Sequence, residues 1–207
     1  MNRNNRIKLA IKALQEGRAV IVTDDEDREN EGDFVAAGST VSYETVNLMV
    51  SRGRGVLCVP AGPETIQRLE LLPMVDNNGD PHKTAFTVSV DAADATTGIS
   101  VAERLRAIQL LADPTSSAQH LRKPGHVFPL AARNGGLAER RGHTEAAVEL
   151  AKLAGLPPVG VVCEILADDG SCMRTQELHN LASELDLIFL TIEDLSGFLL
   201  AEAGARA

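Results

Sequence analysis

Apolar positions along the chain fall into two periods, and the switches between them outline the fold. Ile7, Leu9, Ala10, Ile11, Ala13 and Leu14 form a stripe of helical period that stops at Gly17, a C-terminal helix signal. Residues 19–23 then read as a strand, and residues 34–38 as a second. Ser42 is placed to cap a helix through about Ser51, with Val46, Met49 and Val50 on its apolar side. Arg52-Gly53-Arg54-Gly55 turns the chain into a buried strand over 56–59, closed by Pro60, and 64–69 reads as a short helix. Residues 73–83 show neither period and are rich in turn formers, so they read as a loop. Alternation from Ala85 to Val90 predicts a half-exposed strand. A turn and cap at 96–100 lead into a helix over 101–112, with Val101, Leu105, Ile108 and Leu111 on one face. A short extended piece covers 124–130, and Asn134-Gly135-Gly136 turns it toward Arg140–Thr144. Thr144 is the expected cap of a helix to Ala154, stopped by Gly155 with Pro157 beyond. Strands over 159–165 and 187–192, and helices over 175–184 and 194–203, complete the pattern. Strands alternate with helices almost throughout, without a repeat or a linker. That predicts one compact α+β (mixed α/β) domain over residues 1–207, a mixed sheet flanked by helices.

Composition narrows the functional classes more than it changes this outline. In 207 residues, 44% hydrophobic and 24% charged content suit a globular protein with a real core. The net charge of −9 argues against a nucleic-acid partner or an anionic membrane surface, each of which needs a basic face. Aromatics make up 3%, with no tryptophan, so stacking platforms for single-stranded nucleic acid are not expected. Cys58, Cys163 and Cys172 form no C-x-x-C pair or disulfide framework. With no signal peptide and no long apolar run, the chain reads as cytoplasmic.

Between the first two strands lies Asp24-Asp25-Glu26-Asp27-Arg28-Glu29-Asn30-Glu31-Gly32-Asp33, seven carboxylates around one arginine. Neighbouring pairs repel by about 1 kcal/mol each at contact range in water, so a positive group is expected nearby. The run alone fits either a solvated loop or a chemical site on a rigid scaffold. A second segment, Arg140-Arg141-Gly142-His143-Thr144, precedes a helix. There a glycine, an arginine, a hydroxyl and the helix dipole suit a phosphate, and equally suit a capped helix with incidental basic residues. His143 is a surface histidine or a metal ligand. Paired with Glu29 it would leave most of a hard cation's coordination to water and substrate, which suits Mg²⁺ or Mn²⁺. Glu164, inside Val161-Val162-Cys163-Glu164-Ile165, is a candidate functional carboxylate because a glutamate in a core strand needs a partner. His126 and Cys58 are ambiguous alone.

In their order along the chain, D-D-E-D-R-E-N-E-G-D at 24–33, T-T-G-I-S at 96–100, P-G-H-V-F-P-L at 124–130, R-x-G-H-T-E-A at 140–146, C-E-I at 163–165 and T-I-E-D-L at 191–195 resemble the 3,4-dihydroxy-2-butanone 4-phosphate synthase family. The likeness runs from about Ile7 to Phe198. It implies a lyase of riboflavin biosynthesis that converts D-ribulose 5-phosphate to L-3,4-dihydroxy-2-butanone 4-phosphate and formate through an enediolate. It also implies Mg²⁺ (or Mn²⁺), no organic cofactor, and a homodimer with its active sites near the subunit interface. Carried across by motif, Glu29 and His143 match metal ligands. Arg28, Glu29, Asp33, Arg140, Arg141, Gly142, His143, Thr144 and Glu164 match substrate-binding positions. His126 and Glu164 match positions essential to catalysis, and Asp24, Glu31 and Cys58 fall on further active-site positions. A sugar-phosphate isomerase or epimerase on the same chemistry would release no formate. A silent metal- or phosphate-binding module would bind without turnover. Ser171–Gln176 departs from many relatives, with Cys172, Met173 and Gln176 where they carry methionine, alanine and proline.

Overall fold

The structure, a computed structural model, describes residues 2–206. Among the described residues seven strands form one mixed sheet: β1 (Val20–Thr23), β2 (Gly32–Ala37), β3 (Cys58–Ala61), β4 (Val90–Ala92), β5 (Leu121–Ala131), β6 (Gly160–Glu164) and β7 (Phe189–Thr191). Their spatial order is β4-β5-β3-β6-β2-β1-β7. The β1–β2, β2–β6, β3–β6 and β4–β5 pairs are antiparallel, whereas β3–β5 and β1–β7 are parallel. The helices among the described residues are α1 (Arg3–Gln15), α2 (Tyr43–Leu48), α3 (Pro63–Arg68), α4 (Val101–Ala112), α5 (His143–Leu153), α6 (Thr175–Glu184) and α7 (Ile192–Arg206).

The central strands are apolar on both faces because both faces are covered. Ile21, Phe34, Ala36, Val161 and Cys163 pack with Val46 of α2, Ile108 and Leu111 of α4, and Leu178 of α6. The alternate residues Val20, Val22, Val35, Ala37 and Val162 pack with Leu14 of α1, Ala147 and Leu150 of α5, and Leu195 of α7. A helix–sheet–helix sandwich follows from this strand period of two. Each fully buried large side chain, Phe34 among them, contributes about 1.5–3 kcal/mol.

Four local expectations change. Of the expected strand over 85–90, residues 85–89 make only isolated bridges, Phe86 to Leu130 and Thr87 to Pro73, and the strand begins at Val90. The reason is divided pairing: Thr87 N–H goes to Pro129, while Val88 N–H goes to Leu72, so neither neighbour gains a continuous ladder. Pro60 lies inside β3 rather than ending it. There β3 keeps its register with β5 but meets β6 only at Cys58–Val162, with one further bridge from Ala61 to Val159 just before β6, so the missing N–H costs no ladder bond to β6. The extended piece at 124–130 is part of the longer β5. Finally, α5 starts before Thr144. Gly142 is its N-cap, with extended backbone (φ −123°, ψ 164°) and, being glycine, no side chain to cap with, while Thr144 is buried within the first turn.

Candidate active site

The acidic loop joins β1 to β2 at the edge where β1 ends, and its own first residue folds it. Asp24, buried, accepts hydrogen bonds from Arg28 Nη1 (2.7 Å), the Glu29 N–H (3.2 Å) and the Glu31 N–H (2.9 Å). Arg28 Nη1 also reaches Glu29 Oε2 at 2.8 Å. From outside, Arg141 grips Asp25 in a two-pronged pair at 2.8 and 2.9 Å, which holds that carboxyl below its usual range against the effect of burial. Arg174, at the start of α6, donates to the carbonyls of Glu29 (2.9 Å) and Asn30 (2.6 Å), where Asn30 has φ +54°. Three arginines from three parts of the chain thus answer the self-repulsion of the run.

The helix start at α5 closes over this loop. His143, its first residue, is buried, and its Nε2 lies 3.2 Å from the Val22 carbonyl. A carbonyl only accepts, so Nε2 carries the hydrogen and the neutral ring keeps its lone pair on Nδ1. Burial depresses the imidazole pKa, against the pull of Asp24 and Glu29 and with the push of Arg28, which keeps the ring neutral. Ligand atoms of Asp24, Glu29 and His143 lie within 4.8 Å of one another. Two carboxylates and a neutral imidazole with a backbone-anchored second nitrogen fit a small divalent cation that completes its shell with water or substrate oxygens.

Beside this group, strand register creates a carboxylate pair. Asp33 of β2 stands directly opposite Glu164 of β6. Like charges in that position repel, and burial adds to the effect, so the Asp33 carboxyl is pushed well above its usual range, chiefly by burial and then by Glu164. Glu164 accepts a hydrogen bond from the Val56 N–H at 2.8 Å. Burial and the same two carboxylates push the Cys58 thiol up, so Cys58 lines the site as a neutral thiol rather than a thiolate nucleophile.

The positive half of the site lies at Gly142. A Cβ there would run into the Arg140 guanidinium and sit 3.3 Å from Arg28 Nη2, so the missing side chain lets two guanidinium groups converge on the helix start. Arg140 is itself fixed, with Nη1 on Glu145 (2.7 Å), Nη2 on Thr84 Oγ1 (3.0 Å) and Nε on the His82 carbonyl (3.1 Å). Converging cations, an uncapped helix N-terminus and the buried Thr144 hydroxyl form an anion cradle.

These groups share one pocket of about 170 Å³. Of the residues singled out from sequence, Arg28, Glu29, Glu31, Asp33, Cys58, Arg140, His143, Thr144 and Glu164 line it. Asp24 stands behind Arg28, and Gly142 lies close against the guanidinium groups of Arg140 and Arg28. Arg141 does not line the pocket, because Asp25 holds its guanidinium on the outer side. His126 does not line it either; it sits where β5 meets the edge strand β4, bonded to Asp91. Sequence reasoning passes over Thr84 and Phe86, which complete the wall. Their signal is faint: they follow the aperiodic 73–83 loop, and only their contacts to Arg140 and Leu130 reveal them.

A carboxylate–imidazole group able to hold a divalent cation thus lies beside two converging arginines and an uncapped helix N-terminus on an α+β scaffold. A sequence profile of the 3,4-dihydroxy-2-butanone 4-phosphate synthase family matches residues 8–198, and the chain belongs to that family. It is 50% identical over 194 residues to the riboflavin biosynthesis protein RibBA of Bacillus mycoides (strain KBAB4), and 50% identical to that of Bacillus cereus (strain G9842). Each match covers 94% of this chain and 49% of the relative, so the chain spans about half the length of these relatives. A crystal structure of a 3,4-dihydroxy-2-butanone 4-phosphate synthase in complex with two magnesium ions superposes with a TM-score of 0.92 at 42% identity, covering 96% of this chain and 98% of that one. A two-domain 3,4-dihydroxy-2-butanone 4-phosphate synthase from A. baumannii, RibBX, gives 0.88 at 41% identity, covering 92% of this chain and 56% of that one.

Proposed function

We propose that this chain is a lyase of riboflavin biosynthesis that converts D-ribulose 5-phosphate to L-3,4-dihydroxy-2-butanone 4-phosphate and formate. The observation that carries the reading is the meeting of two halves in one pocket: Glu29 and His143, with Asp24 behind them, on one side, and Arg28 and Arg140, converging on Gly142, on the other. Family membership and the magnesium complex of a relative support it.

The cradle takes the phosphate, so the carbon chain extends toward Asp33 and Glu164. Glu164, steadied by the Val56 N–H, is the carboxylate that removes the proton next to the carbonyl. Asp33, whose carboxyl is pushed well above its usual range by burial and then by Glu164, is the group that returns a proton to the rearranging skeleton. The Cys58 thiol contributes a neutral, water-excluding wall. Glu29 and His143, with Asp24 beside them, would hold Mg²⁺ or Mn²⁺, which supplies Lewis acidity to carbonyl and hydroxyl oxygens. Organic cofactors have no part in this reading.

The active unit is a cytoplasmic homodimer with its sites at the interface, and residues 1–207 act as one catalytic domain. Two observations support the dimer. Exposed apolar side chains, Val75 (55%), Met74 and Phe86, line a groove that shares Thr84 and Phe86 with the pocket, and His126 stands apart from the pocket in its own chain. In this reading His126 is one of the groups that act on the substrate. Among the described residues no helix is long and apolar enough to cross a membrane. Incubation with D-ribulose 5-phosphate and Mg²⁺, followed by an assay for formate, tests the activity. Formate is expected in equal amount to substrate consumed, and isomerised pentose phosphate without formate would sink the proposal.

A further inference from the structure

His126 is held in a way that the pocket chemistry does not explain. Between β4 and β5 the register jumps: Val90 pairs with Val127 and Asp91 with Arg122, so residues 123–126 bulge out of the ladder. The bulge brings His126 over Asp91. The Asp91 carboxylate, its side chain only 3% exposed, accepts the His126 N–H at 2.8 Å and faces the ring Nδ1 at 3.1 and 3.3 Å. Arg122 Nη2 donates to its second oxygen at 3.1 Å. The T-T-G-I-S turn packs against the same carboxylate, since a Cβ on Gly98 would collide with it. The ring's other nitrogen, Nε2, has no hydrogen-bond partner among the described residues, and the imidazole is 44% exposed.

We infer that Asp91 is a positioning residue, whose carboxylate fixes the His126 imidazole as the Nδ1–H tautomer and so presents an unprotonated Nε2 outward from the edge of the sheet. A carboxylate accepts only, so Nδ1 must carry the hydrogen. An unanchored neutral histidine would be free to rotate and to exchange tautomers. Here the backbone bond, the ring bond and Arg122 remove that freedom, which suits a group that has to accept a proton from a substrate held elsewhere. The Asp91 carboxyl lies below its usual range: burial opposes ionisation, but the His126 backbone, the His126 ring and Arg122 outweigh it.

The inference rests on the reading that His126 acts on the substrate, and the experiment separates the two. Histidine ¹⁵N shifts are recorded on full-length protein above the histidine titration range, with the His126 signals assigned by their loss in His126→Ala. In the wild type, His126 shows a protonated Nδ1 and an unprotonated Nε2. Asp91→Asn keeps the shape and an acceptor for the backbone N–H, but its amide can donate to Nδ1, and the ring moves to the Nε2–H form. Turnover falls on the order of 10²-fold with KM within about twofold of wild type, while the variant stays folded at the assay temperature by circular dichroism. If His126→Ala keeps wild-type turnover, the reading beneath fails, and the positioning role fails with it. If His126→Ala is inactive but Asp91→Asn turns over normally, or leaves the tautomer unchanged, the positioning role alone is overturned.

Discussion

Arg140 looks from sequence like a residue whose loss would weaken substrate binding and do little else, but its partner changes that expectation. Glu145, the third residue of α5, has a side chain only 1% exposed and meets Arg140 Nη1 at 2.7 Å, with the arginine side chain 14% exposed. In Arg140→Ala, Glu145 Oε2 loses this donor, and Oε1 keeps only the Arg133 N–H at 3.1 Å. Removing one partner of a buried ion pair costs about 3–5 kcal/mol, because a charge is left in low dielectric without compensation. For a chain of this size that lowers the unfolding midpoint by roughly 2–4 °C per kcal/mol. The Arg140 bonds to Thr84 and the His82 carbonyl go as well, freeing the end of the 73–83 loop.

The magnitude is testable by a double-mutant cycle in urea. Glu145→Gln alone should cost about 1–2 kcal/mol, as a neutral amide still accepts from Arg133. The double variant Arg140→Ala/Glu145→Gln should be more stable than Arg140→Ala alone, with a coupling energy of about 1–3 kcal/mol. The double variant is also the cleaner probe of binding. Loss of charge-assisted bonds to a phosphate should weaken sugar-phosphate binding on the order of 10- to 10²-fold, measured by calorimetry on folded protein. Additive effects of the two substitutions, or an Arg140→Ala protein as stable as wild type, would refute the buried-pair argument.

Two further outcomes follow from the site. Because the Asp33 carboxyl is raised in the folded protein, its favourable contribution is complete below the unfolded value of about 4 and is lost as pH rises through the folded value. Metal-free Asp33→Asn should therefore be more stable than wild type in urea at pH 8, with the gap closing toward pH 4, and catalytically impaired; a gap independent of pH would contradict the assignment. Chelation should abolish turnover, with added Mg²⁺ or Mn²⁺ restoring it. Glu29→Gln and His143→Ala should each weaken Mn²⁺ binding by more than tenfold in titration calorimetry, whereas full turnover by metal-free protein would remove the metal from the reading.

Local chemistry makes much of this protein legible from the order of its residues. The helix over 175–184 and the Ser42 cap are readable because period and capping are encoded within a few neighbouring residues. The acidic loop is visible for the same reason. Its need for positive charge is a matter of electrostatics, although Arg174, which holds the Glu29 and Asn30 carbonyls, gives no local sign of that role. Residues 85–90 mislead because alternation reports which side chains are buried, not which backbone neighbour is present to complete a ladder.

The sandwich of helices around an apolar sheet, and the kinds of side chain available for chemistry, are thus written into the residue pattern alone. Which of those side chains meet is a matter of tertiary contacts. Asp33 and Glu164 face each other only because β2 and β6 align them in antiparallel register, and a one-residue slip would send one of them to the opposite face. Arg140 turns inward and Arg141 outward because successive residues before a helix point in different directions, toward Glu145 in one case and Asp25 in the other. The His126 side chain, equally suggestive in sequence, leaves the pocket for the sheet edge because Asp91 waits there under a bulge. Such pairings depend on contacts between residues far apart in the chain, which no local pattern carries.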